Sequence, residues 1–342
     1  MKEIIMKDIA REVGVSVTTV SHAINNTRPV SETTKTKIFE AMDRLDYKPN
    51  NLARSLRKKS TKTIGIIISD IGNPYFTQLV RACEDTAHEH DYNIILCNSD
   101  DDPVKEELYL NILRSEQIDG IILSPCGSTS HIAHFLQGGL SAVFVDRHLE
   151  GLNVDYVGVD NIMVSQLAVD HLFELGYRRI AIVTAMEDLS STQERIKGYR
   201  MALERHGLPF DKDLVLSVKG DCEETNVMKA FEVYLETATD VDCFFAINNV
   251  ITLGIIGAIN RKKLRCPQDI ALMGVCDFSW SWKFQPYLTM IDLPIYEIGK
   301  KATNVLISRI KNGSKQRVKY IELPPKLIVR DSCGAVNGSV IP

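Results

Sequence analysis

From Thr63 onward the chain repeats one pattern: a short apolar run, then a longer amphipathic stretch. Thr63–Ile68 and residues 93–97, 119–123 and 142–145 read as buried strands. Between them, 74–90 places apolar residues at 76, 79, 80, 83 and 87, and 103–117 at 104, 108 and 112; both are helical spacings. A second series follows, with strands near 179–183, 214–217, 242–245 and 270–274. Its helices fall near 162–176, 193–206, 224–238 and 250–263. A last helix, 294–311, has apolar positions 295, 298, 302, 305 and 306. Strand–helix alternation predicts parallel sheets joined by right-handed crossovers. Two such series predict an α/β body of two doubly wound lobes.

The first 62 residues follow a different rule. They hold 13 Lys and Arg against 7 Asp and Glu, a net +6, while the remainder carries −10. Six basic residues and no acid lie between Lys48 and Lys62. A basic head on an acidic body suggests a polyanion partner for the head; a solubilising cluster would give the same charge. Met6–Val13 reads as a short helix, broken at Gly14, where glycine tolerates the left-handed turn. Ser16 caps a second helix running to about Asn25. At about 100° per residue, Val17, Val20, Ala23 and Ile24 share one face, with Thr18, His22 and Asn25 opposite. Ser31 caps a third helix with an Ile38, Met42 and Leu45 stripe, closed by Tyr47-Lys48-Pro49. Two helices joined at a glycine turn, plus a third, make a helix-turn-helix whose second helix enters the major groove. The segment 49–59 can add two helical turns. Leu56 beside its basic residues suits a minor-groove wedge; a plain linker is the alternative.

Met6-Lys7-Asp8-Ile9-Ala10, Gly14-Val15-Ser16, Thr19-Val20-Ser21, Ile24-Asn25, Tyr47-Lys48-Pro49-Asn50 and Ala53-Arg54-Ser55-Leu56 occur in that order. These runs resemble the head and hinge of the LacI/GalR family of bacterial transcription regulators, and the resemblance continues to Asp331. It implies that Thr18 and His22 read major-groove bases and that Arg28 adds a base contact. Val17 would also face DNA, although the helical wheel turns it inward. Tyr47, Asn25 and Asn50 would hold phosphates and Leu56 would be the wedge. Arg57, with Arg54, Lys58 and Lys59, would meet further phosphates and make binding steeply salt-dependent.

The resemblance also sets the domain plan. A helix-turn-helix domain spans 1–48, a hinge helix and linker 49–62, and a two-lobed, periplasmic-binding-protein-like core 63–330, followed by a tail, 331–342. Lobe 1 would comprise about 63–160 and 293–322, and lobe 2 about 161–292 and 323–330, so the chain changes lobe near 161, 292 and 323. Ligands of such sheets bind beyond the strands' carboxyl ends. Positions matching the family's effector contacts are Asn73, Phe76, Asp146, Ser191, Arg195 and Asn248. Three of them have a plainer alternative: a lobe–lobe salt bridge for Arg195, a turn cap for Asp146, helix packing for Phe76. Sugar-binding relatives usually carry acids where Cys276 and Asn249 stand and an aromatic near Cys222. Asp277 and Trp280 are the candidate replacements here. Losing two acids leaves the cleft less hostile to a negative ligand, so we expect a sugar-like effector, including an anionic or phosphorylated one.

The remaining features exclude more than they add. No apolar run nears the ~18 residues of a membrane span, and Met1 to Asp8 lacks the apolar core of a secretory signal. The eight cysteines are scattered without a C-x-x-C, as in reduced thiols of a cytosolic protein. A cytoplasmic, nucleoid-associated protein is expected. No G-x-G-x-x-G, P-loop, G-x-S-x-G or H-E-x-x-H is present. His88/His90 and His131/His134 read as solvated helix faces rather than metal sites, and Asp100-Asp101-Asp102 as a turn and helix start. Neither cofactor, metal nor catalytic residue is expected. The tail lacks heptads for a coiled coil. The expected partners are a palindromic duplex operator, a small sugar or sugar derivative and a second copy of the chain, with no membrane. The competing readings are a sugar-acting α/β enzyme with a basic appendage and a solute-transport protein. Leu56→Ala should weaken specific duplex binding far more than ligand binding; titrations showing equal losses would reject the hinge role.

Overall fold

The computed structural model describes residues 4–47, 60–127, 129–219, 222–237, 241, 243–278, 281, 283, 285–313 and 317–334. The chain divides into two compact units, 1–61 and 62–342. In the first, α1 (Met6–Val13), α2 (Val17–Asn25) and α3 (Glu32–Arg44) enclose a small core of Ile9, Ala10, Val20, Ala23, Ile38, Ala41 and Met42. Gly14 ends α1 at φ 73°, the left-handed geometry the turn requires. Ser16 caps α2 by accepting the Thr19 N–H at 3.0 Å. Ser31 stands at the N-cap position of α3 but makes no cap: its hydroxyl bonds Thr34 Oγ1 at 2.8 Å. A neighbouring side chain outcompetes the backbone N–H there. Arg44 reaches Glu12 at 3.3 Å and ties α3 to α1.

The second unit contains two six-stranded sheets. One holds β1 (Thr63–Ile68), β2 (Asn93–Asn98), β3 (Gly120–Leu123), β4 (Ser141–Val145), β5 (Asp155–Val159) and β11 (Tyr320–Leu323), ordered β11-β5-β4-β3-β1-β2. All its pairs are parallel. The other holds β6 (Ile180–Ala185), β7 (Val215–Val218), β8 (Cys243–Ala246), β9 (Ala271–Val275), β10 (Thr289–Asp292) and β12 (Lys326–Ile328), ordered β12-β10-β9-β8-β6-β7. There only β12 runs antiparallel, against β10. The helices are α4 (Pro74–Glu89), α5 (Pro103–Ser115), α6 (Thr129–Leu136), α7 (Asn161–Glu174), α8 (Ser190–Arg205), α9 (Glu224–Thr237), α10 (Asn249–Lys262) and α11 (Ile295–Asn312). Each sheet with its helices is one lobe. The chain crosses between them after β5, after β10 and after β11.

Packing explains where α11 goes. Its Ile295, Ile298, Ala302, Val305 and Leu306 are all buried, and it lies against α4, β3, β4 and β5. At Gly299 the two helices touch: an added Cβ would sit 2.5 Å from the Leu79 carbonyl oxygen. At the far end of the helix, Arg309 makes a buried ion pair with Asp155, through Nε at 2.6 Å and Nη2 at 2.7 Å. The same Asp155 accepts the Lys319 N–H, so one carboxylate fixes both the helix and the segment returning to β11.

Two sequence expectations change here. The 104/108/112 spacing is indeed helical, but in α5 this stripe faces outward: Val104, Leu108 and Ile112 are 76%, 55% and 41% exposed. The buried face is Glu106, Leu110 and Leu113 instead. Glu106 is tolerated there because its carboxylate accepts the Cys126 and Gly127 N–H groups at 2.8 and 2.9 Å. The tail also begins later than residue 331. Ser332 and Cys333 are buried, and Ser332 binds the Leu272 backbone through its carbonyl and hydroxyl. Residues 335–342 lie outside the described residues. Gly299→Ala should cost about 1–3 kcal/mol by forcing α11 away from α4; an unchanged urea midpoint would show the contact can relax.

Candidate functional site

Two surfaces carry candidate residues, one in each unit. On the first, α2 exposes a polar face without an acid. Thr18 and Arg28 are exposed, and His22 and Asn25 are half-buried. Val17 is 43% exposed, so it stands on the outer face, as the resemblance implies and the wheel does not. The first residue of a helix lacks a preceding turn to pack beneath it, which is why the wheel misplaces it. His22 Nδ1 bonds Thr27 Oγ1 at 2.7 Å, which fixes the ring. Asn25 Nδ2 donates to the Ser21 carbonyl at 2.8 Å. Tyr47 is only 9% exposed and packs in the head core. Asn50, Leu56 and Arg57 lie outside the described residues.

On the second unit, loops at the carboxyl ends of both sheets surround a cavity of about 480 Å³. Lobe 1 contributes Asn73, Tyr75, Phe76, Asp101, Asp146 and Arg147; lobe 2 contributes Ser191, Arg195, Cys222, Asn248, Asn249 and Cys276. Six of the eight expected effector residues therefore meet there. Asn73 caps α4 and accepts from Asn249 Nδ2 at 2.9 Å, a direct bond between lobes. Asn248 caps α10 and turns Nδ2 toward Cys222. Phe76 packs edge-on to Tyr75, centroids 5.0 Å apart, and lines the cavity as well.

Arg195 is 7% exposed and is not a lobe–lobe salt bridge. Its Nε donates to Asn161 Oδ1 at 2.9 Å and its Nη1 to the Ile247 carbonyl, both in lobe 2. Asp146, at φ 64°, pairs with Arg147 Nε at 3.1 Å rather than capping a turn. Arg147 also binds Asp101 through both terminal nitrogens. Burial alone would lower the Arg147 pKa; Asp146 and Asp101 together outweigh it and raise it. Asp277 does not line the cavity. Its carboxylate is held by Arg330 at 2.8 and 2.6 Å, which satisfies it inside lobe 2. Trp280 lies outside the described residues.

Tyr75, Arg147 and Asn249 also line the cavity and fall in the carboxyl-end loops 70–76, 146–147 and 248–249, whereas Asp101, read from sequence only as part of a turn and helix start, is the candidate that reading missed although it follows β2. Asp100 and Asp101 adopt φ 53° and 54°, turning Asp101 back toward the cleft while Asp102 caps α5.

The family description "Bacterial regulatory proteins, lacI family" fits residues 5–50. That of the periplasmic binding proteins and sugar binding domain of the LacI family fits residues 61–329. The chain belongs to the LacI family. Within it, this regulator is 31% identical over 329 residues to the HTH-type transcriptional repressor PurR of Aliivibrio salmonicida, covering 96% of this chain and 98% of that one. It is equally 31% identical to the ribose operon repressor of Halalkalibacterium halodurans, covering 96% of each. Among solved structures it is similar to the transcriptional regulator CelR–cellobiose complex, with TM-score 0.73, 26% identity and coverage of 96% and 99%. The lac repressor dimer bound to operator and an anti-inducer shares the fold, with TM-score 0.86, 22% identity and coverage of 98% and 100%. The PurR and ribose operon relatives are transcriptional repressors and the CelR neighbour a transcriptional regulator, which removes the sugar-acting enzyme reading.

The LacI-family cleft of this chain carries two thiols where the sequence pattern leads one to expect polar or aromatic groups. Burial, ahead of the nearby charges, pushes the Cys276 thiol up to about 12 and raises that of Cys222. At pH 8 a thiol at 12 is ionised to roughly one part in 10⁴, so it is a poor nucleophile. Cys276 should resist iodoacetamide at pH 8 in the folded protein and react fully in urea. Peptide mapping that finds it modified while folded would contradict that burial.

Proposed function

We propose that this chain is a transcriptional repressor that grips an inverted-repeat operator as a homodimer, with operator affinity set by a small polyhydroxylated effector in the interlobe cleft. The observation that carries the reading is one cavity walled by two lobes between which the chain crosses three times. A ligand contacting both walls changes the angle between them, and any surface whose spacing depends on that angle is changed too. The lining is rich in carboxylate, amide and guanidinium groups, which suit hydroxyls. A ribose operon repressor among the relatives and the cellobiose complex of a structural neighbour agree with a sugar-like ligand.

The outward stripe of α5 supports the dimer. Val104, Leu108 and Ile112 form an exposed apolar row, and β2 beside them is the outermost strand of its sheet. A second copy covering that row by two-fold symmetry would place two heads on a palindrome. The segment between head and core would then couple the core to the operator. Selection from random duplexes should return inverted repeats. Leu108→Lys should leave folded monomers whose affinity for the selected duplex falls at least tenfold. Enrichment of single half-sites, or a dimer that survives the substitution, would overturn the arrangement.

A further inference from the structure

The two walls of the cleft differ in charge. Lobe 1 presents Asp70, Asp100, Asp101 and Asp146 with one arginine, Arg147, already paired. Lobe 2 presents Arg195 among neutral groups, with Glu223 as its one lining acid among the described residues. Arg195 is more than nine-tenths buried, with Nε and Nη1 spent on neutral acceptors, and Nη2 has no partner among the described residues. Arg195 makes no ion pair among the described residues, Asp146 being the acid that shares its surroundings, and a ligand anion on Nη2 would supply the direct partner it lacks.

The helix that carries Arg195 points the same way. Helix α8 is 16 residues long and starts at the cavity, where Ser191 and Thr192 form part of the lining. Leu189 stands at its N-cap and cannot cap it, and the first turn contains no acid. The first backbone bond of the helix is from Gln193 N to Leu189 O, so the Ser190, Ser191 and Thr192 N–H groups find no acceptor among the described residues. Unsatisfied N–H groups and the positive end of the helix dipole form an anion site. Ser191 and Arg195 are four residues apart and share a face.

We propose that the effector is a polyhydroxylated anion: its carboxylate or phosphate sits on Arg195 Nη2 and the α8 amino terminus, and its hydroxyls face Asp146 and Asp101. This rests on the reading of the cleft as the effector site. One molecule would then draw the acidic wall and the basic wall together, each reading one end of it.

The test is a thermal-shift and calorimetric panel on the full-length protein. Its arms are neutral aldoses and alditols, the matching aldonates and uronates, and the matching phosphate esters. A charged member should bind at least tenfold tighter than its neutral parent, and the arm in which it falls separates carboxylate from phosphate. Arg195→Gln should erase that preference. Ser191→Asp supplies the missing helix-end acid, so it should fold at least as stably yet lose the anion at least tenfold. A neutral parent binding as tightly as its anion, or Ser191→Asp leaving anion affinity unchanged, overturns the proposal but leaves the cleft as the effector site if Asp146→Asn still weakens binding. No binding by any member overturns both.

Discussion

Every strand of a parallel sheet ends at the same edge, and the site depends on that constraint. In each lobe the loops after the strands gather at the carboxyl end, where no ladder bonds engage them. Two such edges facing one another bring together residues as distant in sequence as Asn73 and Asn249. Left-handed turns stand at this edge after three strands, at Asp101 on the way into α5 and at Asp146 and Cys276 in loops that lead to the next strand. Side chains at those turns are consequently aimed inward rather than along the sheet.

The connections between lobes explain how such a cleft can act. Helix α11 is locked to the first lobe by close packing at Gly299 and by the Arg309–Asp155 pair. Ser332 and Cys333 are locked into the second. Each lobe has its own internal ties, and the two meet through the crossings, a continuous apolar cluster with residues of both, and polar contacts such as His148 N to Ser190 Oγ at 3.0 Å. In the proposed response to a ligand, one lobe rotates against the other rather than repacking. The division of charge between the walls gives that rotation an electrostatic sense.

The alternation of apolar runs and helical stripes was enough to place most strands and helices, because burial on both sheet faces demands continuous apolar segments. The helix-turn-helix was legible for a similar reason: Gly14 and Ser16 act locally, through backbone conformation and a single cap. Legibility failed where a residue's surroundings come from elsewhere in the chain. Val104, Leu108 and Ile112 have helical periodicity, but periodicity does not say which face meets the sheet. Ser31 looks like a cap until Thr34 competes for its hydroxyl. Asp277 looks available until Arg330, 53 residues later, takes its carboxylate.

The amino-acid sequence by itself determined the class of fold, the basic head with its recognition helix, and the set of loops from which a ligand site had to be drawn. These follow from local rules of turn chemistry, spacing and charge. Only the tertiary structure decided which charges in the cleft are already paired. It neutralised Arg147 between Asp101 and Asp146 and left Arg195 lining the cavity with one nitrogen that has no partner among the described residues. Charge pairing depends on distances between segments that the chain does not place side by side, and folding alone sets those distances.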